Sequence, residues 1–434
     1  MNSLAAWASL ISLWRSCGAN ALPVMPQWRS AFEAGVGWVA AAPGDSGDAL
    51  VCGGAAELLL LDSKSGRPVG EPIPTLGESR LAGQAPGRVY CHDQFRIHCL
   101  NTNVESGRGS ISAAVWKAGA APADSEPGDG DPEYAMVVQD AVLLPAGLAV
   151  LRSDGLLCGL SDVDGRPAWR HALGALEHPQ LLAGSDWLCV LHSVGGKARA
   201  VVVDLRKPAD APKGIDVSNG GRAEPLGAWI CNWGLVLAWN DHWASHPLSE
   251  PEALREAHLY PTGVRVTRAK LTFGWPPDKY DLDHSQLYFA GDDGAIYAAA
   301  VQGVDAHTIG AISQRQMKTC AALEFQRDAL LLSGPKAAFR IDLREETAGR
   351  IQAFESRGPI GLESVDARQM LGFARIEGDE PNRKLWFLID FADTSSPNNR
   401  IRPLVTGLDV RSVVWRERSL ILVGPNEIQC FARE

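Results

Sequence analysis

Short apolar runs alternate with polar turns along most of the chain. The runs are rich in Val, Leu, Ile and aromatic residues, and their nearly continuous apolarity is typical of strands covered on both faces. Gly-Gly, Asp-Gly and Gly-Asp pairs in the turns supply the positive φ that tight hairpins need. In 153–173 a turn at 153–155 precedes apolar residues to Leu160, a second turn at 162–165 and then Trp169. The pattern predicts antiparallel strands joined by short turns.

Units of this kind recur about every 40 residues where nothing interrupts them. Eight copies lie at 48–74, 87–108, 147–169, 186–208, 285–303, 328–350, 368–393 and 418–434. A ninth, interrupted copy begins at residue 227 and resumes at residue 264. The repeats predict an all-β fold, a single closed β-propeller over residues 35–434. We expect eight blades, within a range of seven to nine, and one blade that pairs the N- and C-terminal strands, since pairing removes exposed sheet edges.

Two segments are expected to be insertions. Residues 118–133 hold five acidic residues, three prolines and no basic residue, which predicts an acidic, flexible loop. Residues 239–263 are expected to form a loop rich in Trp and His, followed by a short helix with Ser249 as its N-cap.

Residues 1–34 precede the predicted propeller. Leu4, Trp7, Ile11 and Trp14 recur at helical spacing and predict a short amphipathic helix, which is followed by an extended segment. No Lys or Arg precedes the apolar run, whereas an arginine follows it, and this order is unlike that of a signal peptide. We therefore expect a cytoplasmic protein, with periplasmic export as the alternative.

Net charge and composition disfavour some classes of binding partner and indicate the state of the cysteines. A net charge of −10 without a Lys/Arg cluster disfavours nucleic acid and anionic membranes. The nine cysteines are odd in number, irregularly spaced and mostly inside apolar runs, which indicates buried, reduced thiols. Arg outnumbers Lys by 31 to 10, and with abundant Ala and Gly this suggests a GC-rich bacterial genome.

The copy at 147–170 resembles the repeat of quinoprotein-like and WD40-like β-propellers. Gly155, Leu160, the Asp-Gly pair at 164–165 and Trp169 follow that repeat's G…L…tG…W pattern. The resemblance implies a fold and no chemistry. Quinoprotein dehydrogenases of this superfamily carry an adjacent Cys-Cys pair over the cofactor and a Ca²⁺ site, and no two cysteines are adjacent here. We expect neither a cofactor nor enzymatic activity.

The motif CHDQFRIHC at 91–99 contains four side chains of the types that bind zinc. A hairpin turn centred on Asp93-Gln94 would set Cys91 opposite Arg96, so the four donors would not converge. We therefore interpret the motif as structural.

The motif WNDHWASHP at 239–247 contains a His-x-x-x-His pair, but Pro247 disfavours the helix that would stack both rings on one metal. Two interpretations of this inserted loop stay open: its Trp and His residues either pack within the loop or form a contact surface for a partner. The candidates for partner contact are Trp7, Trp14, Trp239, His242, Trp243 and His246.

The motif DKYDLDHSQ at 278–286 lacks the spacing and glycine of a calcium loop and is interpreted as a solvated turn. No phosphate-binding loop, G-x-S-x-G elbow or C-x-x-C pair is present. We predict no catalytic, cofactor-binding or metal-binding residue, although a Ser/His/Asp triad assembled across blades stays open.

The function predicted best is a non-catalytic protein–protein interaction scaffold or adaptor in a bacterial cytosolic complex. By analogy alone, its partner would be an ATPase or a von Willebrand A protein. One alternative is an exported propeller resembling the outer-membrane assembly lipoprotein or a periplasmic sensor. The other is a propeller hydrolase with a metal in its central channel.

Overall fold

The computed structural model describes most of the chain. The described residues are 23–33, 35–41, 49–102, 114–119, 137–195, 197–217, 225–230, 234–248, 258–261, 265–272, 286–293, 295–300, 306–311, 322–326, 329–333, 337–342, 351–355, 360–365, 369–375, 384–390, 401–416 and 418–433. Every regular element within these ranges is a β-strand. None of these residues belongs to a helix that could cross a lipid bilayer.

The chain divides into two compact units, and the first comprises residues 27–223 and 408–434. It contains five four-stranded sheets. The terminal sheet contains β1 (Pro26–Ala31), β34 (Ser412–Trp415), β35 (Ser419–Val423) and β36 (Glu427–Ala432). The next two sheets are β2 (Trp38–Ala41), β3 (Ala49–Gly53), β4 (Glu57–Asp62), β5 (Ile73–Pro74) and β6 (Arg80–Ala85), β7 (Arg88–His92), β8 (Arg96–Asn101), β9 (Ala114–Gly119). The last two are β10 (Val138–Leu144), β11 (Gly147–Arg152), β12 (Leu156–Ser161), β13 (Pro167–Ala172) and β14 (Glu177–Ala183), β15 (Trp187–Val194), β16 (Lys197–Asp204), β17 (Lys213–Asp216).

The second unit comprises residues 1–26 and 224–407 and contains four such sheets. Its first two sheets are β18 (Gly227–Ile230), β19 (Gly234–Ala238), β20 (His242–Pro247), β21 (His258–Pro261) and β22 (Val266–Thr272), β23 (Gln286–Gly291), β24 (Ala295–Ala300), β25 (Ala306–Ala311). The other two are β26 (Ala322–Gln326), β27 (Ala329–Ser333), β28 (Ala337–Asp342), β29 (Ile351–Glu355) and β30 (Ile360–Val365), β31 (Gln369–Arg375), β32 (Lys384–Asp390), β33 (Ile401–Pro403).

In eight of these sheets the strands follow one another in chain order and pair with antiparallel neighbours, as in the blade of a propeller. The exception is the terminal sheet, whose order β1-β36-β35-β34 places the N-terminal strand beside the C-terminal one. This is the predicted pairing of the two chain ends. These blade-like sheets of antiparallel strands confirm the predicted all-β fold class.

The described residues form nine four-stranded sheets, one more than the eight that we expected. The extra sheet is the one formed by residues 227–261, which is complete by itself, whereas the predicted interrupted copy continues beyond residue 264. Its third strand, β20, reads HWASHP and lacks the Val and Ile enrichment by which strands are recognised. The polar side chains of Ser245 and His246 nevertheless point into the interior, where they are fully buried.

The predicted insertions lie partly in these sheets. Residues 118–119 belong to β9, and residues 120–133 lie outside the described residues. Most of the predicted helix, residues 249–257, also lies outside them, but its last two positions belong to β21. The amphipathic helix predicted within residues 1–34 falls on residues 1–22, which lie outside the described residues too.

Burial within a sheet explains the apolar runs. All six residues of β11 are buried, whereas the outer strand β13 alternates between exposed and half-buried positions. Apolar side chains of neighbouring sheets meet in shared clusters, and one cluster joins Leu151 and Leu157 to Leu188 and Val203. Inner strands are therefore covered on both faces, as their continuous apolarity predicted.

The hairpin that resembles the quinoprotein-like repeat forms as predicted, with turns between β11 and β12 and between β12 and β13. Trp169 lies opposite Gly159 on the neighbouring strand. A Cβ atom at Gly159 would lie only 2.1 Å from the indole ring, so the ring covers the bare backbone of the glycine. Trp38 covers Gly53 in the same manner.

Candidate functional site

A cleft of about 230 Å³ opens at the turn between β7 and β8, where the β6–β9 sheet meets the start of β10. Three separate segments supply its walls. The lining residues are Glu78, Arg80, His92, Asp93, Gln94, Val137, Val138 and Gln139.

Asp93 organises the turn at the base of this cleft. Its Oδ1 accepts the backbone N–H groups of Phe95 at 2.8 Å and Arg96 at 2.7 Å. Its Oδ2 accepts the N–H of Leu76 at 3.0 Å and lies 3.4 Å from Nε2 of His98. Burial alone would raise the pKa of Asp93, but these hydrogen bonds outweigh it and lower the pKa to about 2. The carboxylate is thus ionised and buried, with both oxygens engaged.

The same bonds explain an error in the predicted hairpin register. Because Asp93 caps the turn and its N–H bonds to the carbonyl of Arg96 at 2.9 Å, the turn is longer than one centred on Asp93-Gln94. Cys91 consequently lies opposite His98, not opposite Arg96 as predicted. Burial raises the pKa of the Cys91 thiol. No group of three or more His, Cys, Asp or Glu side chains in the described part of the chain could hold a metal ion.

His92 contributes the imidazole of the cleft wall. Its residue is only 4% exposed, and its Nδ1 lies 3.0 Å from the carbonyl oxygen of Asp93. Because a carbonyl only accepts, Nδ1 carries the proton and the lone pair stands on Nε2. Nε2 has no hydrogen-bond partner among the described residues.

Acidification is expected to destabilise the protein partly through His92. Burial lowers the pKa of His92 and the Arg80 cation adds to this, whereas the bond to the Asp93 carbonyl and the charges of Asp140 and Asp93 oppose it. As the pH falls below about 6.5, the unfolded chain therefore binds a proton at this residue before the folded chain does, and stability decreases. His92→Asn keeps a donor for the Asp93 carbonyl and does not titrate. Urea unfolding between about pH 7 and pH 5 should show a smaller decrease for this variant, and an unchanged decrease would contradict the assignment.

Hydrogen bonds within the loop that carries Glu78, and from this loop to the preceding sheet, hold it in place. Thr75 Oγ1 donates to the carbonyl of Gly77 at 3.0 Å, and Ser79 Oγ donates to that of Gly54 at 3.1 Å. Trp38 Nε1 donates to the carbonyl of Ser79 at 2.9 Å. This loop is therefore fixed to the preceding sheet as well as to Asp93.

The opposite wall of the cleft begins at a backbone hydrogen bond between neighbouring sheets. The N–H of Val138 donates to the carbonyl of Gln94, in the turn of the preceding sheet, at 2.7 Å. Val36 donates to Pro425 at 2.7 Å and Val266 donates to Asn240 at 2.6 Å in the same way. All three valines are buried. A buried Val at or just before the first strand of a sheet is a repeat signal that was not recognised in the sequence.

The four contact candidates that the structure describes, all within residues 239–246, do not form an exposed loop. Trp239, Trp243 and His246 are at most 3% exposed, so the interpretation of 239–247 as an exposed contact loop is wrong. His242 stacks on Trp239, with ring centroids 4.6 Å apart, and its Nδ1 lies 2.7 Å from Asp241 Oδ1. The physical reason is that His242–Pro247 is a strand paired on both edges, and Trp243 packs into a buried cluster with Val266 and Phe289.

The remaining predicted sites lie largely outside the described residues. This holds for Trp7 and Trp14, and for residues 278–285 of the third motif, whose last residue, Gln286, begins β23. Six of the nine cysteines are described, and all six are buried and unbridged, as predicted: Cys52, Cys91, Cys99, Cys158, Cys189 and Cys430.

Comparison with known proteins adds structures of low sequence identity. No family model and no curated protein matches the chain. BamB from Moraxella catarrhalis is similar at 11% identity over 92% of this chain and 99% of its own, with a TM-score of 0.45. Sqt1 from Saccharomyces cerevisiae is similar at 10% identity over 95% of this chain and 100% of its own, with a TM-score of 0.49. The C-terminal WD40 domain of Sif2 is similar at 8% identity over 95% and 99%, with a TM-score of 0.49.

Proposed function

We propose that this chain is a non-catalytic scaffold that binds a protein partner at the cleft between the β6–β9 and β10–β13 sheets. The observation that carries the proposal is a pair of exposed apolar side chains beside this cleft, Leu76 at 44% and Val137 at 37% exposure. Exposed apolar groups rimmed by polar ones mark interaction sites on folded proteins. Glu78 and Gln94 supply the polar surroundings here.

Rigidity of the surrounding backbone also supports a binding role. Leu76 is anchored through its N–H to Asp93, and the carbonyl of Val137 accepts the N–H of Ser153 at 2.8 Å. A partner that docks on such a preorganised surface loses little entropy in ordering it. The carboxylate of Asp93 is occupied by this structural role, which favours recognition over general-base chemistry.

The proposal includes a cytoplasmic location in a bacterial cell and, by analogy, an ATPase or a von Willebrand A protein as the partner. A mature chain that retains Met1 or Asn2 at its N-terminus would favour this location over export.

Affinity capture from the native host tests the scaffold function. Wild-type protein should recover at least one partner in near-stoichiometric amount, and Leu76→Asp with Val137→Asp should reduce that recovery at least about ten-fold, because each buried charge costs more than 1 kcal/mol. Val163→Asp is the matched control, since Val163 is 74% exposed in the turn at the other end of the β10–β13 sheet. Failure of the wild-type protein to recover any stoichiometric partner would overturn the scaffold function.

A further inference from the structure

The volume of the cleft limits what it can bind. Sites for cofactors and drug-sized ligands have volumes of about 300–1,000 Å³, whereas this cleft has about 230 Å³. One side chain of a partner fits this space better than a cofactor. Such pockets on protein surfaces receive the anchor residues that contribute most of the binding energy.

The lining of the cleft contains a hydrogen-bond acceptor, the imidazole of His92. Nε2 of the buried His92 is an acceptor without a partner among the described residues, since the ring proton is on Nδ1. The Asp93 carboxylate does not compete for a donor, because it already accepts three backbone N–H groups. The incoming group would therefore donate to His92.

The charges of Glu78 and Arg80 do not select an ion. Both residues line the cleft and both are exposed, so their opposite charges balance. An ammonium group would be attracted by Glu78 and repelled by Arg80, and the converse holds for a carboxylate. Recognition of the incoming group therefore depends on the His92 acceptor and on apolar contacts.

Part of the lining is apolar. Val138 is buried and Val137 is partly exposed in one wall, and Leu76 lies exposed beside the cleft on the loop that carries Glu78. Tyr and Trp combine a large apolar ring with one hydrogen-bond donor. We propose that the cleft receives one tyrosine or tryptophan side chain of a protein partner, with His92 Nε2 accepting its O–H or N–H; this rests on the scaffold function proposed above.

A titration with side-chain analogues tests this proposal without a known partner. The probes are p-cresol and indole, and toluene is the control that has the ring but no donor. We expect Kd values on the order of 1 mM for fragments of this size, with toluene binding about 3- to 10-fold more weakly because it forgoes one hydrogen bond. Nitrogen-15 NMR of histidine-labelled protein should show the Nε2 resonance of His92 shifting with p-cresol but not with toluene.

Two substitutions of His92 distinguish the loss of the hydrogen-bond acceptor from a loss of folded structure. His92→Asn retains a donor for the Asp93 carbonyl but is too short to place an acceptor at the position of Nε2, and p-cresol should bind it about 3- to 10-fold more weakly. His92→Gln places an amide oxygen near the position of Nε2 and should retain most of the affinity. Equal binding of p-cresol and toluene to the wild type would overturn the proposal even if a variant failed to fold, and so would the absence of p-cresol binding at about 10 mM.

Failure of the proposed aromatic anchor can be distinguished from failure of the scaffold function. If wild-type protein and His92→Asn capture the same partner equally from the host, the scaffold function stands and the aromatic anchor at His92 is wrong. If the wild type binds p-cresol as expected but captures no partner, the cleft chemistry stands and the scaffold function is wrong.

Discussion

Gly155→Ala is expected to lower the free energy of unfolding by more than about 3 kcal/mol. Gly155 has a φ of +79°, which L-residues adopt at a cost of about 1–2 kcal/mol. The added Cβ would also lie 1.7 Å from the carbonyl oxygen of Gly174. That contact can be relieved only by moving the backbone, which breaks the 2.9 Å bond from the N–H of Leu173 to the carbonyl of Gly155.

Gly174→Ala is the matched control for this prediction. Gly174 has nearly the same φ, +77°, but a Cβ there would meet no atom within 4 Å. It should therefore show only the conformational cost, about 1–2 kcal/mol. Urea unfolding of both variants measures the difference, and equal destabilisation would show that the close approach of the two turns contributes nothing.

The β11–β13 hairpin was predictable because its signals are local. Asp154 and Gly155 end one strand, and Gly165, with a φ of +70°, turns the next. Asp164 Oδ1 accepts the N–H of Arg166 two residues on, at 3.1 Å. Turn chemistry of this kind acts over a few residues and can be read from a single sequence.

The cleft was not predictable because its bonds are not local. Asp93 accepts the N–H of a residue 17 positions earlier, and Val138 donates to a turn in another sheet. In the motif at 91–99 the Cys and His residues were the candidates considered for a site, whereas the aspartate between them accepts the hydrogen bonds that form the base of the cleft. His246 was also predicted to lie on an inserted loop, although it pairs with Leu235 and is buried in an inner strand.

Asp93→Ala is expected to destabilise the protein by about 3–5 kcal/mol. The substitution leaves the N–H groups of Leu76, Phe95 and Arg96 without their acceptor at a site where Asp93 itself is 1% exposed. Asp164→Ala is the control, because Asp164 also caps a turn but has a side chain that is 48% exposed. We expect little change for Asp164→Ala in the same urea unfolding experiment, since water replaces the lost acceptor.

The pH dependence of the Asp93 variant checks the cause of this loss. The pKa of Asp93 is about 2 in the folded chain and 3.8 is its ordinary value, so its carboxylate stabilises the fold fully above that ordinary value. The stabilisation decreases as the pH falls towards about 2, because the unfolded chain binds the proton first. Between about pH 5 and pH 2 the wild type should thus lose more stability than Asp93→Ala, and the two curves should converge. Parallel curves would mean that the charge of Asp93 is not what holds the turn, the Leu76 loop and the cleft together.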